Sequence, residues 1–392
     1  MTSTRRSPRS EIPTNPGGAL APEHVLGRDE LIARYWNKLE TQSIALLAPR
    51  RIGKTSITKR MIAFPPARFI VRARDLEDVD SVVQFARALF EDVEAQLRSF
   101  TRVAARGRAV LASLGIVEIK DFRIELGELS WRKLLDQVFA DLDEHAQAEG
   151  RLVVLVWDEF TYFISELALN GHERDAMALL DSLRAARQKY QHVRMVLTGS
   201  IGLPEMERRL RNAGHRNRAL NDVAVEIVPL FDEINARLVT AALLRGAALD
   251  VSAEVVDAII ELSEGHPMII QLLVEGLKAH ARVDVRAVEA EFSRAVEPPG
   301  DPLDLRYYTE RIEQNFGSKD AELACAILDA LALQPGQTLN ELLERLPGPT
   351  TRTLLSDLLR HLIDDFYIVR SEGKHEFRLR LLREFWLRER GL

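Results

Sequence analysis

From residue 23 to about 230 the chain alternates short, unbroken apolar runs with stretches of helical period. Ser43-Ile44-Ala45-Leu46-Leu47-Ala48 is too short for a helix and apolar from its second residue on, the pattern of a strand covered on both faces. Runs at 68–73, 152–157, 193–198 and 223–228 repeat it, and helical stretches at 54–63, 80–97, 131–148 and 173–190 lie between them. Such alternation predicts an α/β domain on a parallel sheet over 23–230. Residues 98–130 break the rhythm and read as an insertion with a short helix and a small hairpin.

Beyond 231 the period is helical to about 296, with turns near Gly246 and Gly265-His266-Pro267. Glu297-Pro298-Pro299-Gly300-Asp301-Pro302 cannot continue a helix, so 297–317 reads as a linker. In 318–392, helices are expected near 320–332, 338–346 and 350–363. A hairpin follows, pairing 366–370 with 375–379 about a turn at 371–374. Three helices followed by a hairpin is the winged-helix order. Residues 1–22 lack periodicity and are rich in Ser, Thr, Pro, Gly and Arg, and read as a flexible tail.

Composition narrows the function. The 392 residues are 46% apolar and 29% charged, enough for two or three domains with real cores. A net charge of −6 excludes wholesale coating of nucleic acid or an anionic membrane, while a local basic patch stays open. The single cysteine, Cys325, excludes an internal disulfide or a cysteine cluster and sits in an apolar helical run as core. No apolar run approaches the ~18 residues of a membrane span. The N-terminus has no apolar signal segment, so a cytoplasmic protein is expected.

The chemistry begins at Ala48-Pro49-Arg50-Arg51-Ile52-Gly53-Lys54-Thr55-Ser56, which follows a buried strand and opens a helix. Such a loop directs backbone N–H groups at phosphates, with the helix dipole in support. Gly53 lets the backbone approach, Lys54 reaches the β- and γ-phosphates, and the Thr55 hydroxyl ligates Mg²⁺. Asp158-Glu159 end the run 152–157, where a parallel sheet opens its ligand crevice. Asp158 suits the Mg²⁺ shell and Glu159 the polarisation of an attacking water; an acidic cap on the next helix is the plainer reading. Met195-Val196-Leu197-Thr198-Gly199-Ser200 ends in the same way, and Thr198 or Ser200 would orient the water or read the γ-phosphate, unless they form a simple turn.

Arg208, Arg209, Arg211, Arg216 and Arg218 crowd the loop before the fifth strand. Arg216 and Arg218 are candidates for an arginine finger on a neighbouring subunit; a solvated or DNA-facing loop is the alternative. Arg98, Arg102, Arg106 and Arg108 of the insertion, and Arg5, Arg6 and Arg9 of the tail, read as solvated faces or as DNA contacts. In the last module the helix at 350–363 would enter a major groove with Arg352 and Arg360, and Lys374 sits at the wing tip, yet Asp357, Asp364 and Asp365 accompany the two arginines, so a protein-interaction or autoinhibitory role is the alternative. Gly265-His266-Pro267, read from its residues alone, is a helix start.

Together these elements resemble the archaeal-type ATPase family of the STAND class, AAA+-like P-loop NTPases, and more distantly the origin-recognition initiator ATPases. The resemblance covers about residues 24–392. Val25-Leu26-Gly27-Arg28-Asp29-Glu30 is similar to the family's opening motif near the adenine, which adds Gly27 and Arg28 to the site. Pro49 through Ser56 is similar to its phosphate loop, Asp158-Glu159-Phe160 to its Walker B, and Leu197-Thr198-Gly199-Ser200 to its sensor strand. Gly265-His266-Pro267 is similar to a lid motif facing the nucleotide, which adds His266 and Pro267. Phe377-Arg378-Leu379 and Leu381 through Trp386 resemble its wing and closing helix. The chain departs from the family pattern in having Ala48 for the loop's first glycine, a longer arginine-rich loop, and His266 where a sensor arginine would be sought.

The resemblance implies a P-loop NTPase parallel sheet with a helical lid over 231–296 and a C-terminal winged-helix domain. It implies ATP/ADP and Mg²⁺ as ligands, ATP hydrolysis that is slow or partner-stimulated, and a switch of conformation or assembly. Double-stranded DNA at 318–392, a second copy or a protein partner are the expected partners, and no membrane. Two other outcomes stay open: a winged-helix DNA-binding regulator with structural nucleotide, and a switch without turnover that awaits a protein partner.

Overall fold

The computed structural model describes residues 11–18, 20–49, 51–97, 128–199, 206, 210, 219–296, 303–346, 348 and 350–392. The chain divides into two compact units. The sheet unit comprises Leu31–Leu47 and Met61–Ile227. The helical unit comprises Met1–Glu30, Ala48–Arg60 and Val228–Leu392.

The sheet unit holds β1 (Ile44–Leu47), β2 (Phe69–Asp75), β3 (Leu152–Asp158), β4 (Val193–Gly199) and β5 (Ala224–Ile227), in the order β2-β3-β4-β1-β5. Every pairing is parallel, so all five strands end at one edge. The five apolar runs read from the sequence are these five strands. Helices α1 (Asp29–Leu39), α3 (Val82–Leu97), α4 (Glu128–Glu149), α5 (Phe160–Leu169) and α6 (Glu173–Lys189) connect or flank them, and α2 (Lys54–Ala63), which follows β1 in the chain, belongs mostly to the helical unit. The central strands are almost wholly buried; in β3 the six residues before Asp158 are all buried, and in β4 only Arg194 is not. The edge strand β5 turns Glu226 inward, where Lys38 and Arg34 of α1 pair with it.

The helical unit carries α7 (Glu233–Gly246), α8 (Ala253–Ser263), α9 (Pro267–Leu277) and α10 (Val285–Ala295). It continues with α11 (Arg306–Leu333), β6 (Gln337–Thr338), α12 (Leu339–Arg345), α13 (Arg352–Asp364), β7 (Ile368–Ser371), β8 (Lys374–Phe377) and α14 (Arg380–Arg390). One continuous apolar core runs from Ala236 in α7 to Trp386 in α14, and Cys325 is packed against it. β6, β8 and β7 form an antiparallel sheet in that order. The β7–β8 turn is Glu372-Gly373, both left-handed, as a two-residue hairpin requires.

Three expectations need correction. The helix expected at 320–332 begins at Arg306, within the stretch read as a linker, because Tyr308, Ile312 and Phe316 form a buried stripe four residues apart that the neighbouring Gly317 disguises. Strand β6 was not expected; two residues are too few to show alternation. Residues 11–18, read as tail, are fastened to the helical unit: Ile12 is buried and its N–H donates to the Ala242 carbonyl at 3.1 Å. An extended segment held through its backbone has no period to read. Residues 98–127 of the stretch read as an insertion at 98–130, most of the arginine-rich loop, and 297–302 lie outside the described residues, while 128–130 open α4.

Arg311 of α11 and Asp365, just past α13, meet at 3.1 Å with both side chains buried, an ion contact rather than an aligned hydrogen bond. Asp365→Ala is expected to cost about 3–5 kcal/mol by stranding a buried guanidinium. Adding Arg311→Met should recover most of that loss in urea unfolding. A single-variant loss below about 1 kcal/mol would mean that the pair is effectively solvated.

Candidate functional site

In the helical unit the phosphate loop leaves β1 at Ala48 and enters α2 at Lys54. Arg51 (φ 67°) and Gly53 (φ 92°) are both left-handed, which turns the loop sharply on either side of buried Ile52. Alternation of this kind is how a loop gathers successive N–H groups into an anion-binding concavity. Lys54 is 7% exposed, and its ammonium donates to the carbonyls of Ala48 at 2.6 Å and Pro49 at 3.1 Å. The loop is thus wound around the lysine it presents. Thr55 and Ser56 follow in the first turn of α2, where backbone N–H groups have no helical acceptor. Arg50 lies outside the described residues.

The Gly27-Arg28-Asp29 and Gly265-His266-Pro267 motifs converge on Phe231. The buried Arg28 guanidinium lies 4.0 Å over the Phe231 ring. The Phe231 N–H donates to the Gly265 carbonyl at 2.9 Å, and any side chain at 265 would meet the Phe231 carbonyl at 2.2 Å. Asp29 pairs with Arg60 of α2 at 2.7 Å, which ties the first motif to the phosphate-loop helix. Phe231 escaped the sequence reading; its only signal is an apolar residue directly before the Asp232 cap of α7.

His266 caps α9. Its Nδ1 accepts from the N–H groups of Met268 at 3.2 Å and Ile269 at 3.4 Å, and Pro267 takes the first helical position. Burial, with the Arg28 charge in the same sense, pushes the imidazole pKa from 6.5 down to about 3. The neutral ring is the one that can accept.

In the sheet unit Asp158 ends β3. Thr198 of β4 is buried, and its hydroxyl donates to the Asp158 carboxylate. The Glu159 N–H donates to Thr198 Oγ1 at 3.3 Å and to Asp158 Oδ1 at 3.2 Å. These bonds hold Glu159 at φ 52°, a left-handed turn at the mouth of α5. Thr161 of α5 packs so closely on Gly199 that a side chain there would meet its hydroxyl at 1.7 Å. Asp75 ends β2 in register with Asp158 and adds a second acid at this edge; it was not singled out because Arg72 and Arg74 interrupt its apolar run. Ser200, Arg216 and Arg218 lie outside the described residues.

No protein-family model and no curated protein matches the chain. Among solved structures it is similar to the Walker-type ATPase of Pyrococcus abyssi, at 18% identity over 92% of this chain and 96% of that one, with a TM-score of 0.60. It is more weakly similar to the ORC2 protein of Aeropyrum pernix (10% identity, 93% and 94% covered, TM-score 0.49) and to the RuvB Holliday junction branch migration motor of Thermotoga maritima (12%, 89% and 90%, TM-score 0.37). The first likeness establishes the fold, that of a P-loop ATPase; the other two are too distant to carry an argument. Among the described residues no helix is long and apolar enough to cross a membrane.

Two stability predictions follow from this geometry. Between about pH 6.5 and 3 the unfolded chain protonates His266 and the folded one does not, so stability falls as pH drops through that window. His266→Gln should flatten this part of the slope in urea midpoints taken from about pH 7 to 5; parallel slopes would mean that the imidazole titrates normally. Glu159→Gly should raise stability by about 0.5–1 kcal/mol, since glycine relieves the left-handed strain. A loss on thermal unfolding would show that the glutamate side chain holds the turn.

Proposed function

We propose that the protein is a Mg²⁺-dependent ATPase that works as a nucleotide-controlled switch of conformation or assembly, as in the STAND class it resembles. The observation that carries this is left-handed, non-glycine backbone directly after two strands: Arg51 after β1, in the helical unit, and Glu159 after β3, in the sheet unit. Such strain persists where function requires it. The residues suit the ligand. Pro49 through Ser56 would hold the phosphates, with the Lys54 ammonium exchanging its carbonyl partners for phosphate oxygens. Gly27, Arg28, His266 and Pro267 would frame the base end. Thr55 and Asp158 offer the oxygen donors that Mg²⁺ prefers, and the ion would neutralise charge on the transferred phosphoryl group. Glu159 takes the proton of the attacking water, with Thr198 fixing the acid beside it. Ser200, Arg216 and Arg218 keep their expected roles as water-orienting residue and finger. A cytoplasmic location agrees with this chemistry.

A second reading, a winged-helix DNA-binding regulator, draws on a cleft of about 580 Å³ between α13 and the β7–β8 hairpin, lined by Arg352, Arg360 and Arg370. Its cations suit a polyanion, and Asp357 in the same lining weakens the case.

ATP turnover of the wild type, Glu159→Gln and Lys54→Ala, with and without duplex DNA and with mass measured in parallel, tests both. The ATPase reading expects a loss of about 10²-fold or more in each variant, with ATP still bound by Glu159→Gln. Bound ADP, a fixed mass and no turnover in the wild type would leave a switch awaiting a partner. DNA binding that survives Lys54→Ala but not Arg352→Ala with Arg360→Ala would favour the regulator.

A further inference from the structure

Residues 11–18 lie along one stripe of α9. The Gly17 N–H points at the Met268 sulfur at 3.2 Å, and the Asn15 N–H donates to Gln271 Oε1 at 3.1 Å. Thr14 bonds the Glu275 carboxylate, and Lys278 donates to the Thr14 hydroxyl at 2.5 Å and to Glu275 at 2.6 Å. Positions 268, 271, 275 and 278 are spaced three, four and three residues apart, a single helix face. At the far end Ile12 is buried against α7, where a side chain at Gly246 would meet the Ile12 carbonyl at 2.0 Å. At the near end the segment reaches the phosphate loop: the Gly17 carbonyl accepts from the Arg51 guanidinium at 3.4 Å.

A segment that only covered apolar surface would face α9 with apolar side chains. This one faces it with backbone N–H groups and polar atoms, and only Ile12 is sunk into the core. The exposed Thr14–Glu275–Lys278 cluster contributes little energy, so Ile12 supplies the anchor and the backbone bonds supply the register. Gly17 then stands between two functional elements, with its N–H on the helix capped by His266 and its carbonyl on the strained Arg51 of the phosphate loop.

We propose that residues 11–18 form a positioning strap of the nucleotide site, holding Arg51 in its left-handed conformation and fastening the phosphate loop to α9. The strap rests on the reading of that loop as a nucleotide site and adds a determinant of affinity that touches no nucleotide itself. Preorganising the loop lowers the ordering cost of binding, so a loosened strap releases nucleotide faster.

Two opposite substitutions in the full-length chain test this. Ile12→Ala removes the anchor. Gly246→Ala keeps every strap atom but forces Ile12 away, at a helix end that tolerates alanine. Both are expected to speed dissociation of methylanthraniloyl-ADP by about tenfold and to raise amide exchange at 11–18 and 268–278. Ile12→Val should stay within about twofold of the wild type, since it keeps most of the buried side chain. If either alanine variant fails to fold by circular dichroism, Gln271→Ala, which removes only the Asn15 acceptor, takes its place. Faster exchange at 11–18 with unchanged dissociation and unchanged exchange at 268–278 would overturn the strap. If the wild type binds no nucleotide, the ATPase reading fails, and the strap is then judged alone by Arg51→Ala, which must raise exchange at both 11–18 and 268–278; no change there overturns it.

Discussion

The sheet unit is organised around solvating one carboxylate. Asp158 follows six buried residues, and an ionised group at the end of such a strand is costly unless the protein supplies hydrogen bonds. Thr198 supplies one from the neighbouring strand and Glu159 another from its own backbone. To donate, the Glu159 amide must turn back over the strand end, which places the residue in the left-handed region. To bring Thr198 and the first turn of α5 together, position 199 must lack a side chain, because Thr161 fills that space. One electrostatic requirement thus accounts for a hydroxyl, a strained glutamate and a glycine, and it leaves an acid held at the carboxyl edge of the sheet.

The helical unit solves the corresponding problem for a cation. The Lys54 ammonium is buried and bonded to carbonyls of its own loop. On the proposed reading a phosphate would only exchange one set of oxygen partners of this lysine for another. Phe231 plays the organising part elsewhere in the unit: its ring receives Arg28 and its backbone pairs with Gly265.

The sheet was legible in the sequence because the central strands β1, β3 and β4, buried along nearly their whole length, are written as unbroken apolar runs; β2 and β5, only partly buried, show shorter runs that Arg72, Arg74 and Glu226 interrupt. The loop after β1 and the residues Asp158, Glu159 and Thr198, proposed above for the site, stand out in the sequence because polar residues closing such runs are costly without a use. Phe231 was not, since an aromatic residue before a helix cap looks like ordinary packing until its partners are known. Nor was the role of Ile12: a lone isoleucine among Ser, Pro and Gly carries no period, and its counterpart, Gly246, shows in sequence only as a turn. The start of α11 was hidden for the opposite reason, a glycine and a proline-rich approach outweighing a real apolar stripe. Periodicity reports elements that bury a face; it is silent on segments that dock by their backbone and on contacts set by a missing side chain.

The core of the helical unit bears on how a nucleotide signal would travel. Glu264, the residue before the Gly265-His266-Pro267 turn, accepts from the N–H of Arg380 at the head of α14, and burial pushes its pKa upward. Trp386 and Arg390 of the same helix bond Asp329 of α11, and the apolar core passes from α7–α10 into α11–α14 without a break. Packed interiors transmit displacement rather than absorb it. A change at the turn capped by His266 would therefore carry α14 with it, and through α14 the β6-β8-β7 sheet and the arginine-lined cleft beside α13. On the proposed reading the C-terminal module would need no flexible tether to the Gly265-His266-Pro267 turn, because both are packed on the same core.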